Sequence, residues 1–400
     1  MNVDLMRGID YWLGIPMCFI MTLFCRLRDV FIPDSGDIKN VLFIELSEMG
    51  SAVLADPAMQ KVKKETSANL FFLIFKRNKD SLKLLATVPD NQIFSIRENS
   101  IILLVWDSFR YFFWCRKNRI DTVVDLELFS RYTALLNAFS GAGKRVGFHV
   151  FFQEGLYRGN LLTHKVLYNP HIHITKNYLS LVHALLSEKK DTPFSKTAIP
   201  ETEIQKLMVS PEQKNRMEEL ILKHAPLFQT GKNRLVLVNA NASELLPQRK
   251  WPMEYYEDLI KCILDHFKDI YVFLTGSGAE WNELEELKRN VNHSNCINFA
   301  GAVPLTDIPV LYELSHCMIT NDSGPAHFAS VTNMKTFVLY GPETPRLYGA
   351  LGNTTAIYAE LACSPCVNAF NHRKTPCLDP VCLKTIRPEK VFNLIKPSLE

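Results

Sequence analysis

The stretch ITNDSGPAHFASVTNMKTFVLYG, residues 319–341, decides the fold, because two apolar runs flank a short polar segment. We call residues 322–327 the polar knot; its notable members are Asp322, Ser323, Gly324, Pro325 and His327. The strand-like run ends at Asp322, and proline favours a first helical turn. Ligands of parallel sheets bind at the carboxyl ends of strands, where the N–H groups of a starting helix attract anions. The knot therefore predicts a phosphate site; alternatively Asp322 or Ser323 only caps the helix and His327 lies on its buried face.

Strand-like runs alternate with segments of helical spacing on both sides of this stretch. A first series occupies 41–47, 69–75, 92–97, 121–127 and 144–148. A second series occupies 234–240, 269–276, 295–301, 316–322, 335–341 and 354–359. Strand followed by helix, repeated, predicts a parallel sheet. We therefore expect an α/β protein with two doubly wound, Rossmann-like domains, each with its own sheet.

Composition limits the classes of partner. The chain has 400 residues, 47% of them hydrophobic, and a formal net charge of +3. Nucleic-acid-binding proteins usually concentrate many Lys and Arg on one face, and no basic tract interleaved with aromatics occurs here. The composition predicts a small anionic ligand and no nucleic acid.

The N-terminus carries an uncharged run from Tyr11 to Cys25, with arginines on both sides. At about 1.5 Å per residue it reaches roughly 22 Å, short of the roughly 30 Å hydrocarbon core. Arg26 and Arg28 follow it where a secretory signal would have small residues. We expect residues 1–33 to lie on an anionic membrane surface with Trp12 at the interface; a buried helix is the alternative.

Two further strand ends in the second series carry polar residues. The turn at 275–280 contains Gly276 and Glu280, a carboxylate suited to ribose hydroxyls. A glycine-rich turn alone is a weak signal. The first strand of the series ends at Asn239, and Arg249 and Lys250 follow just before a helix. These cations could neutralise a diphosphate or form a solvated basic loop.

Asp322-Ser323-Gly324-Pro325-x-His327 followed by LYGPETP, 339–345, resembles the signature of glycosyltransferase family 9, the ADP-heptose:lipopolysaccharide heptosyltransferases. Features in the same order run along most of the chain: 45–50, 56–57, 144–148, 249–252 and 275–280. The resemblance implies a GT-B architecture, in which two Rossmann-like domains face each other across a cleft. The implied divisions are a membrane-associating segment (1–33), an acceptor domain (34–200), a linker (201–232), a nucleotide-sugar donor domain (233–386) and a C-terminal helix crossing back to the N-terminal domain (387–400).

The resemblance also implies an activity. A bacterial enzyme of this kind would move a heptose-like sugar, with ADP-heptose the expected donor, onto a lipid-linked saccharide in lipopolysaccharide biosynthesis, at the inner face of the inner membrane. Transfer would invert the sugar and require no metal, and no Asp-x-Asp pair stands at a strand end. Alternatives are another donor or acceptor, a non-catalytic sugar-nucleotide-binding protein, or a sugar-nucleotide epimerase.

The resemblance gives the site residues roles. Arg249 or Lys250 would offset the charge of the departing diphosphate, and Glu280 would hold the ribose. The other implied donor-binding residues are Asn239, Gly276, Asp322, Ser323, Gly324, Pro325 and His327.

One position departs from the family pattern. The family places an aspartate, taken as the base that deprotonates the acceptor, directly after the glycine that is Gly50 here, but this chain has Ser51. A serine cannot act as that base at neutral pH without a base of its own. Glu48 is the favoured substitute and Asp56 the next, with a base elsewhere or a changed activity as alternatives.

Four cysteines cluster near the C-terminus, at 363, 366, 377 and 382. Cys363, Cys366, Cys377 and Cys382 could hold a structural zinc, form a reduced loop over the cleft together with Arg373, or carry redox chemistry. His171 and His173 alternate like metal ligands, but no third ligand is evident, so packing or a place in the acceptor cleft is expected for them.

Overall fold

The computed structural model describes residues 3–31, 36–85, 87–128, 130–150, 157–187, 196–200, 202, 204–242, 246–371 and 373–400. The chain divides into two compact units, Met1–Thr202 and Glu203–Glu400. Each unit contains a six-stranded sheet, and the pairings within both sheets are parallel. The predicted α/β class with two parallel sheets is confirmed.

The first sheet has the strand order β3-β2-β1-β4-β5-β6. Its strands are β1 (Asn40–Ile44), β2 (Asn69–Phe75), β3 (Ile93–Ile96), β4 (Thr122–Asp125), β5 (Lys144–Phe148) and β6 (His164–Val166). The first five were predicted from apolar runs, which parallel strands covered by helices on both faces require. The sixth was missed, because its three residues His-Lys-Val form no apolar run.

Eight helices accompany this sheet in the described part of the first unit: α1 (Val3–Trp12), α2 (Gly14–Phe31), α3 (Met49–Leu54), α4 (Asp56–Thr66), α5 (Asp80–Lys83), α6 (Ile101–Lys117), α7 (Arg131–Phe139) and α8 (Ile174–Leu186). One core joins strands β1 to β4 to α6, with Leu42, Phe71, Phe94 and Tyr111 among its buried members. The turn after β1, which contains Glu48 and Ser51, therefore starts from a fully buried strand.

The predicted N-terminal apolar segment is divided between α1 and α2, and α2 packs on α7. No single helix in the described chain is long and apolar enough to cross a membrane; the bent pair Leu5–Trp12 and Gly14–Phe31 passes such a test by length and composition alone. Helix α2 buries one side and exposes the other, so it is neither the wholly buried helix of the alternative prediction nor wholly exposed.

The second sheet has the order β12-β11-β10-β7-β8-β9. Its strands are β7 (Arg234–Asn239), β8 (Ile270–Leu274), β9 (Cys296–Asn298), β10 (Cys317–Asn321), β11 (Lys335–Tyr340) and β12 (Thr354–Tyr358). All six were predicted. Strand β10 pairs with β7 on one side and β11 on the other, so the polar knot that follows it lies at the middle of the sheet.

The helices described in this unit are α9 (Pro211–His224), α10 (Met253–His266), α11 (Trp281–Val291), α12 (Ile308–Glu313), α13 (Gly324–Ala329), α14 (Pro345–Tyr348), α15 (Val381–Lys384) and α16 (Pro388–Leu399). Helix α9 lies within the predicted linker and begins with a capping box at Ser210. Helix α16 packs against α10 and buries Val391, Ile395 and Leu399 in the core of this unit. Its crossing to the N-terminal domain stays a prediction.

Candidate functional site

The polar knot begins where β10 leaves the sheet. Asp322 is 3% exposed, and its backbone N–H donates to the carbonyl of Leu339 in the neighbouring strand (3.1 Å). Helix α13 starts at Gly324 but has only six residues, so its dipole is small. Ser323 precedes it without a side-chain capping bond; its hydroxyl donates instead to the carbonyl of Asn321 (3.2 Å). Neither Ser323 capping nor a strong helix dipole therefore accounts for the knot.

Instead, the dominant feature is a group of four charged side chains, which we call the charge cluster: Asp322, Glu343, Arg249 and Arg373. Arg249 lies between the two carboxylates, with Nε 3.5 Å from Oδ2 of Asp322 and Nη2 2.7 Å from Oε2 of Glu343. The Nε atom of Arg373 lies 3.4 Å from Oε1 of Glu343, and its guanidinium covers the ring of Tyr348 at 4.4 Å. The carboxylates at the ends of β10 and β11 thus hold two guanidinium groups.

Burial sets the protonation of this cluster. It raises the pKa of Asp322, against the lowering influence of the Arg249 charge. It also raises the pKa of Glu343 to about 7, while Arg249 lowers it and Asp322 raises it further. Burial alone would lower the pKa of Arg249, but the charges of Asp322 and Glu343 outweigh it and raise that pKa. At neutral pH the cluster therefore holds two cations against fewer than two full negative charges.

Several buried polar atoms of the cluster lack a hydrogen bond within the described chain. They are Nε of Arg249, Oδ2 of Asp322 and Oε1 of Glu343. Both side-chain amide atoms of Asn241, two residues after the end of β7, also lack one. Buried polar groups are normally hydrogen-bonded. Three of these atoms face an opposite charge within the cluster instead: Nε of Arg249 and Oδ2 of Asp322 lie 3.5 Å apart, and Oε1 of Glu343 lies 3.4 Å from Nε of Arg373.

Two residues fix the loop that carries Arg249. The backbone N–H of Trp251 donates to Oδ1 of Asn321 (3.1 Å), and Nδ2 of Asn321 donates to the carbonyl of Ala240 (2.9 Å). The indole of Trp251 is fully buried and donates to the carbonyl of Ile386 (2.8 Å). Asn321 thereby ties the ends of β7 and β10 to this loop and positions Arg249.

Three members of the site were missed from the sequence. Glu343 was quoted in the signature without a role, Arg373 was only part of a loop, and Asn321 was not singled out. Only Asn321 had a local signal, since a polar residue ends a buried strand directly before Asp322.

Arg249 and Lys250, the two predicted cations, lie in different surroundings. Arg249 belongs to the charge cluster, whereas the ammonium of Lys250 pairs with Glu283 on α11. The structure brings Arg249, and not Lys250, into contact with Asp322.

The turn after β8 is organised around Glu280. Its Oε2 accepts from the backbone N–H of Ser277 (2.5 Å) and so closes a capping box before α11. A Cβ on Gly276 would lie 2.9 Å from this Oε2 atom, so a larger residue there would displace the Glu280 carboxylate. Asn239 joins the ends of β7 and β8 through Nδ2, which donates to the carbonyl of Thr275 (2.9 Å). The remaining predicted donor residues, Pro325 and His327, lie in α13, and His327 is buried.

The first unit places Glu48 and Ser51 together. Glu48 precedes α3 in extended conformation and is half-buried, and the hydroxyl of Ser51 donates to its Oε2 (3.0 Å). Glu127, after β4, accepts from the backbone N–H groups of Leu46 (3.0 Å) and Ser47 (3.1 Å), which fixes the start of this turn. A carboxylate therefore contacts the residue where the family resemblance implies one.

Asp56, the second candidate base, has a structural environment. It is 1% exposed and accepts from the hydroxyl of Thr87 (2.5 Å). A carboxylate held in this way favours a packing role over proton transfer to a ligand.

The cysteine cluster does not form a metal site. No group of three or more His, Cys, Asp or Glu in the described part of the chain could hold a metal ion, and Cys363, Cys366, Cys377 and Cys382 are free thiols. The backbone N–H of Cys366 donates to the carbonyl of Pro342 (2.9 Å), so this loop lies against the end of β11. His173 caps α8, which gives it a structural role, whereas His171 is exposed.

Two α/β units, each with a parallel six-stranded sheet, define a protein of the doubly wound α/β class. The chain belongs to glycosyltransferase family 9 (heptosyltransferase), whose model matches residues 115–375.

Individual relatives agree with this family. Lipooligosaccharide heptosyltransferase 2 of Campylobacter jejuni is 28% identical over 177 residues, 43% of this chain and 53% of that protein. The chain thus matches about half the length of this curated relative. The solved structure of E. coli ADP-heptose LPS heptosyltransferase II superposes with a TM-score of 0.67 at 19% identity, covering 90% of this chain and 98% of that one. E. coli heptosyltransferase WaaC with ADP superposes with a TM-score of 0.63 at 14% identity, covering 90% and 99%.

Proposed function

We propose that this protein is an inverting glycosyltransferase that moves a heptose-like sugar from ADP-heptose to a lipid-linked saccharide in lipopolysaccharide biosynthesis, at the inner face of the inner membrane. The observation that carries the proposal is Arg249, held between the buried carboxylates of Asp322 and Glu343 at the centre of the second sheet. A neighbouring fold solved with ADP supports the choice of nucleotide.

The charge cluster would stabilise the departing nucleotide diphosphate. A guanidinium group fixed in advance needs little reorganisation when negative charge develops on the leaving group, and arginine matches phosphate geometry. Arg373 would supply a second cation from the other side of Glu343. Glu280 would accept from the ribose through the oxygen that does not cap α11, and Gly276 would allow the nucleotide close to the backbone.

Glu48 would be the base. The acceptor hydroxyl would lose its proton to this carboxylate while its oxygen forms the new bond to the anomeric carbon. The bond to the diphosphate would break on the opposite face, as in single displacement with inversion. The hydroxyl of Ser51 contacts Oε2 of Glu48, so it would orient the carboxylate toward the acceptor.

Calorimetric titration with ADP, UDP and GDP tests the donor part. We expect micromolar binding of ADP alone. Arg249→Met should weaken that binding by at least tenfold, because the cation facing the diphosphate is lost. Lys250→Met is the matched control and should bind as wild type, since Lys250 pairs with Glu283. No binding of any nucleotide, or equal loss in both variants, would refute this donor site.

A binding protein without transfer activity is the second candidate, and Ser51 is the observation that favours it. It predicts ADP binding with no sugar released to any acceptor. Measuring ADP release from ADP-heptose with purified lipid acceptor separates the two, because only a transferase couples ADP release to a change in acceptor mass.

A further inference from the structure

Helix α2 buries its small side chains and exposes its large apolar ones. Its buried positions are Gly14, Cys18, Thr22 and Cys25. A Cβ on Gly14 would lie 2.8 Å from Cδ of Arg131 in α7, and the hydroxyl of Thr22 accepts from the backbone N–H of Asn160 (2.8 Å). The outward stripe has exposed fractions of 48% to 80% and comprises Met17, Ile20, Phe24, Leu27 and Phe31. Burying a large apolar side chain away from water is favourable, so leaving these side chains exposed is costly in water.

Helix α6 also exposes large apolar side chains, which the sequence did not predict. Its inward side buries Tyr111 and Cys115 and packs Trp114 on the ring of Phe94 (5.3 Å). Its outward side carries a second apolar stripe at helical spacing, exposed by 46% to 81%: Ile102, Val105, Trp106, Phe109 and Phe113. The polar residues that normally cover the outward side of a surface helix are replaced along this stripe by apolar ones.

The two stripes lie on helices that share a neighbour, because α6 and α2 each contact α7 or the turn after it. From α6, the Ser108 hydroxyl lies 2.8 Å from that of Tyr132, and Nη1 of Arg116 donates to the carbonyl of Ser140 (2.9 Å). From α2, Nη2 of Arg28 donates to the carbonyl of Ala142 (2.7 Å). We call the two stripes together the apolar face.

Charges around the apolar face favour an anionic partner. The acidic groups of α2 and α6 are paired, Asp29 with Arg145 and Asp107 with Arg97. Exposed cations remain on the same helices and just after α6: Arg26, Lys117 and Arg119. Basic residues close to an anionic bilayer strengthen binding to it.

We propose that the apolar face binds an anionic phospholipid bilayer, with α2 and α6 lying in the interface and their outward stripes inserted among the lipid chains. Large exposed apolar patches mark membrane or protein contacts, and apolar side chains flanked by basic residues match the requirements of interfacial helices. This inference rests on the membrane location in the proposed function and extends the contact from the N-terminal segment to α6. Its test requires neither a sugar donor nor an acceptor.

Flotation of the full chain with vesicles tests the proposal. We expect binding to vesicles of phosphatidylglycerol and phosphatidylethanolamine, and much weaker binding to phosphatidylcholine alone. Trp106→Glu/Phe109→Glu should lower the bound fraction at least tenfold. Met208→Glu/Leu227→Glu is the matched control, because it places the same two charges at residues of the second unit that are 94% and 78% exposed; it should bind as wild type.

A second measurement does not depend on a charged variant. Lipids brominated along the acyl chain should quench tryptophan fluorescence, and Trp106→Phe should remove a clear part of that quenching while leaving flotation intact. Equal flotation of the glutamate variant and wild type, or quenching unaffected by Trp106→Phe, would overturn the proposal. A third outcome would also overturn it: the wild-type chain does not bind vesicles but forms dimers, and the glutamate variant is monomeric. A second copy of the chain would then cover the apolar face. Vesicle binding without any nucleotide binding would refute the proposed function alone.

Discussion

Replacing Glu343 by glutamine should change how stability depends on pH. Glu343 is fully buried from bulk water against Arg249 and Asp322, and burial raises its pKa to about 7 from an ordinary value of 4.5. Glutamine keeps the shape and a carbonyl acceptor for Nη2 of Arg249, which lies 2.7 Å from Oε2 of the native carboxylate, but it cannot ionise. The variant therefore removes the ionisation of Glu343 from the cluster, while Asp322, whose pKa burial also raises, still titrates.

The size and sign follow from linkage between proton binding and folding. Between about pH 4.5 and about 7 the folded protein keeps a proton on Glu343 that the unfolded chain has lost, so stability falls as pH rises through this window and levels above it. At about 1.4 kcal/mol per pH unit, the rise from 4.5 to about 7 corresponds to about 3 kcal/mol. Wild type should lose this much between about pH 5 and about pH 8, and Glu343→Gln should lack that loss.

Urea unfolding measured across this pH range provides the assay, because urea does not screen charges as guanidinium chloride does. Tryptophan fluorescence reports the second unit through the fully buried Trp251. The matched control is Glu283→Gln, which removes an exposed carboxylate paired with Lys250 and should shift stability by less than about 1 kcal/mol at any pH. If wild type and Glu343→Gln lose stability in parallel as pH rises, the proton does not reside on Glu343 and the assignment is refuted.

Three further substitutions test other parts of the structure. Glu48→Gln should reduce transfer about 10²- to 10⁴-fold, the range for loss of a general base, with ADP binding unchanged by calorimetry; retained turnover would exclude Glu48 as the base. Asn321→Ala should lower the free energy of unfolding by about 1–3 kcal/mol, because the backbone N–H of Trp251 loses its buried acceptor, and urea unfolding at neutral pH measures it. Gly301→Ala should destabilise by more than 1 kcal/mol or so, since Gly301 has φ +69° and its Cβ would lie 2.8 Å from Cα of Gly278; an unchanged thermal midpoint would contradict this.

The strands were predictable because parallel strands covered on both faces need continuous apolar runs. That rule identified β1 and β10, and with them the strand ends where Glu48 and Asp322 lie. It failed at β6, where Val146 pairs with His164 and the strand is defined by its neighbour rather than by its own composition. The apolar run of α6 is also evident in the sequence. Which of its side chains are exposed depends on which side of the helix contacts α7, and no local sequence pattern determines that side.

The charge cluster was only half predictable. Asp322 follows a strand end and Arg249 precedes a helix. Ligands of parallel sheets bind at such positions, so both residues could be predicted as ligand-binding from the order of elements alone. Glu343 and Arg373 enter through tertiary contacts, since the loop carrying Arg373 returns to the end of β11 through the bond from Cys366 to Pro342. The helix dipole, in contrast, was overestimated, because sequence alone did not show that α13 would end after six residues.

The replacement of the expected aspartate by Ser51 need not remove a base from the turn after β1. Residues 48 and 51 are three apart at the start of a helix, a spacing that brings their side chains to the same side, and the hydroxyl of Ser51 contacts Oε2 of Glu48. A carboxylate therefore lies beside residue 51 in this chain. If this exchange preserves the base, Ser51→Asp should place two carboxylates side by side, raise the pKa of one of them by repulsion and shift the acid limb of the transfer rate toward higher pH. If Glu48 plays no part, the same variant should instead raise the rate outright, because it would supply the missing base; the pH profile of transfer distinguishes the two.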